Sequence, residues 1–155
     1  MEARTNTSEL ESLYREHRTP LVRLAALLTG SRAVAEELVQ DSFLKLEGSL
    51  DSARKPAAYL RQIVVNEARQ HLRRRAVEER HLDEPAAPAL PPEIDEVWEA
   101  LWLLPPRQRE VLVLRFYEDM PVRQIAQVIG APTGTVKSHL HRGLAALREV
   151  ISREN

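Results

Sequence analysis

PVRQIAQVIGAPTGTVKSHLHRGLAALR, residues 121–148, is the stretch that decides how this chain reads, because it carries four basic side chains and no acidic one on a helix-turn-helix pattern. Ile125, Val128 and Ile129 fall at helical intervals and form the buried stripe of a short first helix, with small Ala126 allowing a second helix to come close. Gly130 ends that helix, since a glycine takes the left-handed conformation that a sharp interhelical turn requires. Pro132 beyond it suits the start of a new helix. Thr133 is the expected N-cap. Val136, Leu140, Leu144 and Leu147 then recur at three- and four-residue steps, which fixes one face inward and turns Lys137, Ser138, His141 and Arg142 outward. Lysine and arginine can bridge guanine acceptors or phosphates, serine can bond either, and the amino end of the helix favours a phosphate. The competing reading is an ordinary helical hairpin with a solvated basic face. Glycine, small residue and basic run agree on the nucleic-acid reading together.

Working outward, the 155 residues suffice for one or two domains, and 43% hydrophobic with 29% charged content marks a globular chain. No apolar run is long enough to span a bilayer, and the amino terminus, MEARTNTSELES, lacks the basic-then-apolar layout of a signal peptide, so a cytoplasmic protein without membrane insertion is expected. Zero cysteines exclude a disulfide framework, a zinc finger and a thiol switch within the chain. The net charge of −1 hides a segregation. Residues 1–53 hold six basic and nine acidic side chains, 54–80 eight and three, 81–99 none and six, and 107–153 eight and four. Two basic blocks separated by an acidic one suit a nucleic-acid binder with two contact surfaces, although solvated helix faces give milder versions of the same layout.

Glycine is scarce and strand-like alternation is absent, so the fold class is all-α. Residues 8–28 read as an amphipathic segment with Leu10, Leu13, Tyr14, Leu21, Leu24 and Leu28 inward, kinked or divided at Pro20. Thr29-Gly30-Ser31 makes a turn, and residues 32–47 make a second helix on Val34, Leu38, Val39, Phe43 and Leu46. Residues 48–56, GSLDSARKP, read as a loop. Pro56 then sits in the first turn of a third helix running to about Arg75. The stretch AVEERHLDEPAAPALPP, 76–92, has no helical stripe in its proline-rich half and reads as a linker, extended at Pro85, Pro88, Pro91 and Pro92. At full extension it reaches about 55–60 Å, so two modules could touch separate sites on one duplex. The second module starts near Glu93 with Ile94, Val97, Trp98, Leu101 and Trp102 on one helix, breaks at Pro105-Pro106, and continues with a helix over 107–117. The expected architecture is two small helical domains, 1–77 and 93–155, joined by a Pro-rich linker at 78–92, the second with a helix-turn-helix.

AEELVQDSFLKL at 35–46, YLRQIVVNEARQHLRRR at 59–75, LPPRQREVLVLRFYEDMPVRQIA and GTVKSHLHRGLAALR together resemble, over nearly the whole chain, a bacterial sigma factor of the extracytoplasmic-function group of the sigma-70 family. The resemblance lies in order and spacing: a polymerase-binding helix, a promoter-melting helix, a linker, then a carboxy-terminal helix-turn-helix. It implies a non-enzymatic protein without a cofactor, whose partners are core RNA polymerase and promoter DNA, with an anti-sigma factor as a common further partner in the group. The first domain corresponds to sigma region 2, recognising and melting the −10 element, and the second to region 4, recognising the −35 element.

Residue by residue, the resemblance places Glu37, Gln40, Asp41 and Leu44 on the clamp of the polymerase largest subunit. Read from the residues alone, the polar three share an exposed helical face opposite Val39 and Phe43 and could meet a basic partner, or form a merely solvated acidic face. The family's melting and base-reading positions match Tyr59, where a tryptophan is more usual, and Asn66. An asparagine can both donate to and accept from a base edge, and Tyr59 offers a flat surface for stacking unless it belongs to the core. Arg61, Arg69, Arg73, Arg74 and Arg75 would hold backbone phosphates, although basic runs also suit a solvated helix end. The loop 48–56 is shorter than the family's usual loop, which helps form a flipped-base pocket, so no pocket residues are assigned. Gln70 stands where many relatives carry aspartate. In the second domain the resemblance implies upstream promoter contact through Pro132, Thr133, Gly134, Thr135, Lys137, Ser138, His141 and Arg142, with Arg115 on phosphate. Leu103, Leu104, Val111 and Leu114 are expected in the core, and apolar surface nearby is expected to meet the flap of the second-largest polymerase subunit.

The five histidines invite a metal reading, but His139 and His141 lie two apart and point to different helix faces, while His71, His81 and Asp83 have no ligand spacing. There is no phosphate-cradling glycine loop and no nucleophile elbow. A stand-alone dimeric helix-turn-helix regulator is the alternative function, and an interaction adaptor a weaker one.

Overall fold

The computed structural model describes residues 2–50, 54–79 and 96–154, which form two compact units divided between Pro91 and Pro92. In the first unit α1 (Glu2–Thr29), α2 (Arg32–Glu47) and α3 (Pro56–Glu79) each pack on the other two. Leu24, Leu27, Leu28, Val39, Leu46, Leu60, Val64 and Val65 are its fully buried centre. The α1–α2 turn is built as its sequence implies: Gly30 is left-handed at φ 77, and the Ser31 hydroxyl caps α2 by accepting from the Val34 N–H.

Helix α1 runs without a break through Pro20 instead of dividing there. Pro20 is exposed, so the carbonyl it leaves without an N–H donor can turn to water, while buried Leu21, Leu24 and Leu28 hold the next turns to the core. Tyr14, expected inside, is exposed, with its ring resting on Phe43 at a centroid distance of 5.1 Å. Leu10 and Leu13 are half-buried. Helix α3 also outlasts its expected end at Arg75, continuing through the helix-forming Ala76, Glu78 and Glu79. The proline-rich part of the linker lies outside the described residues, as do Ile94 and residues 51–53 of the loop before α3.

The second unit holds α4 (Glu96–Ala100), a 3₁₀ turn (Leu101–Leu103), α5 (Pro106–Leu112), a π-helical turn (Val113–Tyr117), α6 (Val122–Ile129) and α7 (Thr133–Glu154). The 3₁₀ turn corrects one core assignment. With three residues per turn, Leu101 and Leu104 line up inward, and Leu103, expected in the core, faces out at 69% exposure. Leu104 is extended, at φ −91 and ψ 157, as the residue before a proline prefers. Val111 and Leu114 are buried as expected.

The single long helix expected over 107–117 becomes an α-helix that widens into the π turn, closed by Glu118 N–H donating to the Val113 carbonyl at 3.1 Å.

Candidate nucleic-acid interface

Helix α6 buries Ile125, Ala126 and Ile129 and stops at Gly130, whose φ of 68 is left-handed. The Gly130 and Ala131 N–H groups both donate to the Ala126 carbonyl, which closes the turn. Thr133 is not the cap: the Pro132 carbonyl accepts from the Thr135 and Val136 N–H groups, so Thr133 is already the first helical residue. Proline fits there because its own nitrogen has no donor to satisfy.

Val136 is fully buried, with Leu140, Leu144 and Leu147 half-buried on the same face of α7. Pro132, Thr133, Gly134, Thr135, Lys137, Ser138, His141 and Arg142 are all exposed. Lys137, Ser138, His141 and Arg142 make no side-chain hydrogen bond or ion pair among the described residues. The helix presents two cations, a hydroxyl and an imidazole that have no side-chain partners among the described residues.

A feature missed at the sequence level positions this helix. A β-carbon on Gly143 would lie 2.9 Å from Leu112 Cδ1 and 3.2 Å from its Cγ, so α7 and α5 cross here closely enough that any larger residue would have to displace the buried Leu112 side chain. The signal was present, since a glycine inside a helix costs about 1 kcal/mol relative to alanine and calls for a packing reason. Behind the crossing, buried Arg109 stacks on Trp102 at 3.6 Å from the ring centroid. Burial pulls its pKa down to about 10, opposed by neighbouring Glu110, and it stays charged at neutral pH. Arg115, in the π turn, is part-exposed with Nη1 3.8 Å from Asp119 Oδ1.

In the first unit α3 presents a stripe of exposed side chains at three- and four-residue steps: Tyr59, Gln62, Asn66, Gln70 and Arg73. Tyr59, at 40% exposure, is on the surface and not in the core. Gln62 was not singled out from the sequence, although the stripe's spacing includes it. Arg61 and Arg74 are exposed, Arg69 and Arg75 half-buried, and Arg61, Arg69 and Arg75 each interact within the chain. His71 lies in the same run with Nε2 enclosed and without a hydrogen-bond partner among the described residues.

On α2, Glu37, Gln40, Asp41 and Leu44 are all exposed on one face, Leu44 at 61%. Lys45 joins α2 to α3 through an ion pair with Glu67. Beside this face, Gln40, Phe43 and Leu44 form one wall of an open apolar groove of about 590 Å³, with Leu10, Tyr14 and Arg18 of α1 opposite. No helix among the described residues is long and apolar enough to cross a membrane.

Residues 13–77 match the family Sigma-70 region 2, and residues 94–147 match Sigma-70, region 4. The RNA polymerase sigma-E factor of Streptomyces coelicolor is 34% identical over 150 residues, covering 91% of this chain and 85% of that protein. The ECF RNA polymerase sigma factor SigL of Mycobacterium tuberculosis is 32% identical over 153 residues, covering 90% and 86%. Among solved structures, the sigma factor RpoE in complex with the anti-sigma factor NepR from Bartonella quintana aligns with a TM-score of 0.68 at 26% identity, over 94% of this chain and 99% of that one. CnrH in complex with the cytosolic domain of CnrY aligns with a TM-score of 0.66 at 23% identity, over 96% and 91%, and shares the fold.

Proposed function

The chain belongs to the sigma-70 family, and from that premise we propose a division of labour among its helices as an extracytoplasmic-function sigma factor that binds core RNA polymerase and directs promoter recognition, melting and initiation. Helix α7 reads the upstream element from the major groove, with Lys137 and Arg142 reaching base acceptors or phosphates and the exposed amino end, Pro132 to Thr135, against the backbone. Helix α3 works on the downstream element. Asn66 reads a base edge, Tyr59 supplies a stacking surface for an unpaired base, and Arg61, Arg69 and Arg73 to Arg75 supply phosphate charge. Helix α2 holds the polymerase clamp through Glu37, Gln40, Asp41 and Leu44, and apolar surface of the second unit, Leu103 included, meets the flap.

The observation that carries this reading is the packing of α2 on α3: a helix with an exposed acidic and apolar face, Glu37, Asp41 and Leu44, is joined to one whose exposed residues include Tyr59, Asn66, Arg73 and Arg74. A regulator that touches only DNA has no use for the first. The chain itself breaks no covalent bond in this scheme; it works with polymerase in the cytoplasm, and an anti-sigma factor is its expected inhibitor.

The test is run-off transcription with core polymerase on genomic fragments, with start sites mapped. Glu37→Lys with Asp41→Lys is expected to abolish promoter-directed transcription by weakening assembly, while helical circular dichroism and melting temperature hold because that face is exposed. Tight, sequence-specific binding by the free chain, unaffected by polymerase or by the reversal, would favour the dimeric regulator instead.

A further inference from the structure

We propose that Asp119 is an electrostatic brake on the duplex contact of the second unit, a positioning residue that acts through Arg115; this rests on the reading of Arg115 as a phosphate-binding cation. Asp119 adopts φ 59, a left-handed conformation uncommon for any residue but glycine, with asparagine and aspartate the tolerated exceptions. The turn around it is imposed by others. Glu118 N–H donates to the Val113 carbonyl at 3.1 Å, Met120 N–H donates to the Leu114 carbonyl at 3.0 Å, and Met120 itself is buried. Glycine would satisfy this backbone with less strain, so the turn does not account for the carboxylate.

The carboxylate's surroundings do account for it. It is 94% exposed and lies 3.8 Å from Arg115 Nη1, and the same guanidinium lies 5.8 Å from the Phe116 ring centroid. A DNA phosphate approaching Arg115 therefore meets a guanidinium already facing one anion, and that anion repels it. At such an exposed site the ion pair adds little order to Arg115, so competition and repulsion outweigh any preorganisation. A cation already partly neutralised also displaces fewer counterions from the duplex, which lowers both affinity and its salt dependence. The consequence suits a reader that works only with polymerase: the unit's phosphate contact stays weak until polymerase supplies the effective concentration.

The test measures binding of the full-length chain to a fluorescently labelled, mixed-sequence duplex by anisotropy across a salt titration. Wild type, Asp119→Asn, Arg115→Ala and the double variant form the cycle. Asn tolerates the left-handed backbone and removes only the charge. Asp119→Asn is expected to bind about two- to fivefold more tightly, with the log–log salt slope steeper by up to about one, and this gain should vanish in the Arg115→Ala background. Asp119→Gly, which also frees the backbone, should show the same gain and keeps the test open if the asparagine variant folds poorly. Unchanged or weaker binding by Asp119→Asn and Asp119→Gly overturns the brake, as does an equal gain when Arg115 is absent. Arg115→Ala without loss of binding overturns the phosphate reading beneath it.

Discussion

Helices α3 and α7 are both proposed to face DNA, yet they are presented by opposite devices. Lys137, Ser138, His141 and Arg142 on α7 have no side-chain partners among the described residues, and the helix is aimed by backbone: the left-handed Gly130, the Pro132 start and the close crossing at Gly143. Helix α3 is aimed by side chains. It is wedged against α1 and α2 through Leu60, Val64, Val65 and Ala68, and several of its arginines interact within the chain. A backbone-aimed reader is sensitive to single steric changes and offers its cations whole. A side-chain-aimed one tolerates more but shares its charges with the fold.

The hardest way to strain this comparison is Gly143→Val. The β-carbon alone would press on Leu112 at 2.9 Å, and Leu112 is buried, so two further methyl groups force the helices apart. The expected loss is about 3 kcal/mol from the second unit, visible as a lower denaturant midpoint for that unit, with upstream-element use lost at every sequence while the first unit's transition is unmoved. A single unchanged transition would mean that α5 can give way and that the glycine is not what sets the angle of α7.

Smaller effects separate base reading from phosphate binding. Alanine at Lys137 or Arg142 is expected to weaken promoter use by about 1–3 kcal/mol if the contact is to a base, with polymerase binding intact. Asn66→Ala should relax discrimination at one base of the downstream element, whereas alanine at Arg73, Arg74 and Arg75 should weaken binding at all sequences and flatten the salt dependence. Because Arg75 also interacts within the chain, the triple substitution should lower the first unit's melting temperature too, an effect not expected from Lys137→Ala. Equal loss over every base substitution for Asn66→Ala would leave that residue a structural role.

What the sequence disclosed follows the same division. Turn chemistry is local, so Gly30-Ser31, Gly130 and Pro56 could be read in place, and the turn at Thr29-Gly30-Ser31 with the loop from Gly48 set α2 at its observed limits. Leu103, Tyr14 and division at Pro20, the alternative to a kink there, misled because each depends on what lies across the chain: a turn that tightens to three residues, a ring that rests on Phe43 at the surface, a core that holds a helix through a proline. The Arg109–Trp102 stack and the groove between α1 and α2 join residues seven or more positions apart, on faces that no single periodicity brings together. The exposed stripe on α3 was legible as spacing, and Gln62 was passed over because an uncharged amide among arginines carries no signal of its own.

The finest difference concerns His71, which the arginine end of α3 holds half inside the first unit. Burial lowers its pKa below the usual 6.5, and Arg75 and Arg74 push the same way against the opposing pull of Glu78 and Glu37. The unfolded chain therefore takes up a proton as pH falls through about 6.5, while the folded unit resists until a lower pH. Over that window the unfolded state binds more protons, so stability is highest at neutral pH and falls as the solution is acidified toward the lowered folded value. His71→Gln, which cannot charge, should flatten this part of the first unit's melting-temperature profile between about pH 7 and pH 5, a smaller change than any above. An identical slope in wild type and variant would show that acid acts elsewhere and that the arginine run leaves His71 indifferent.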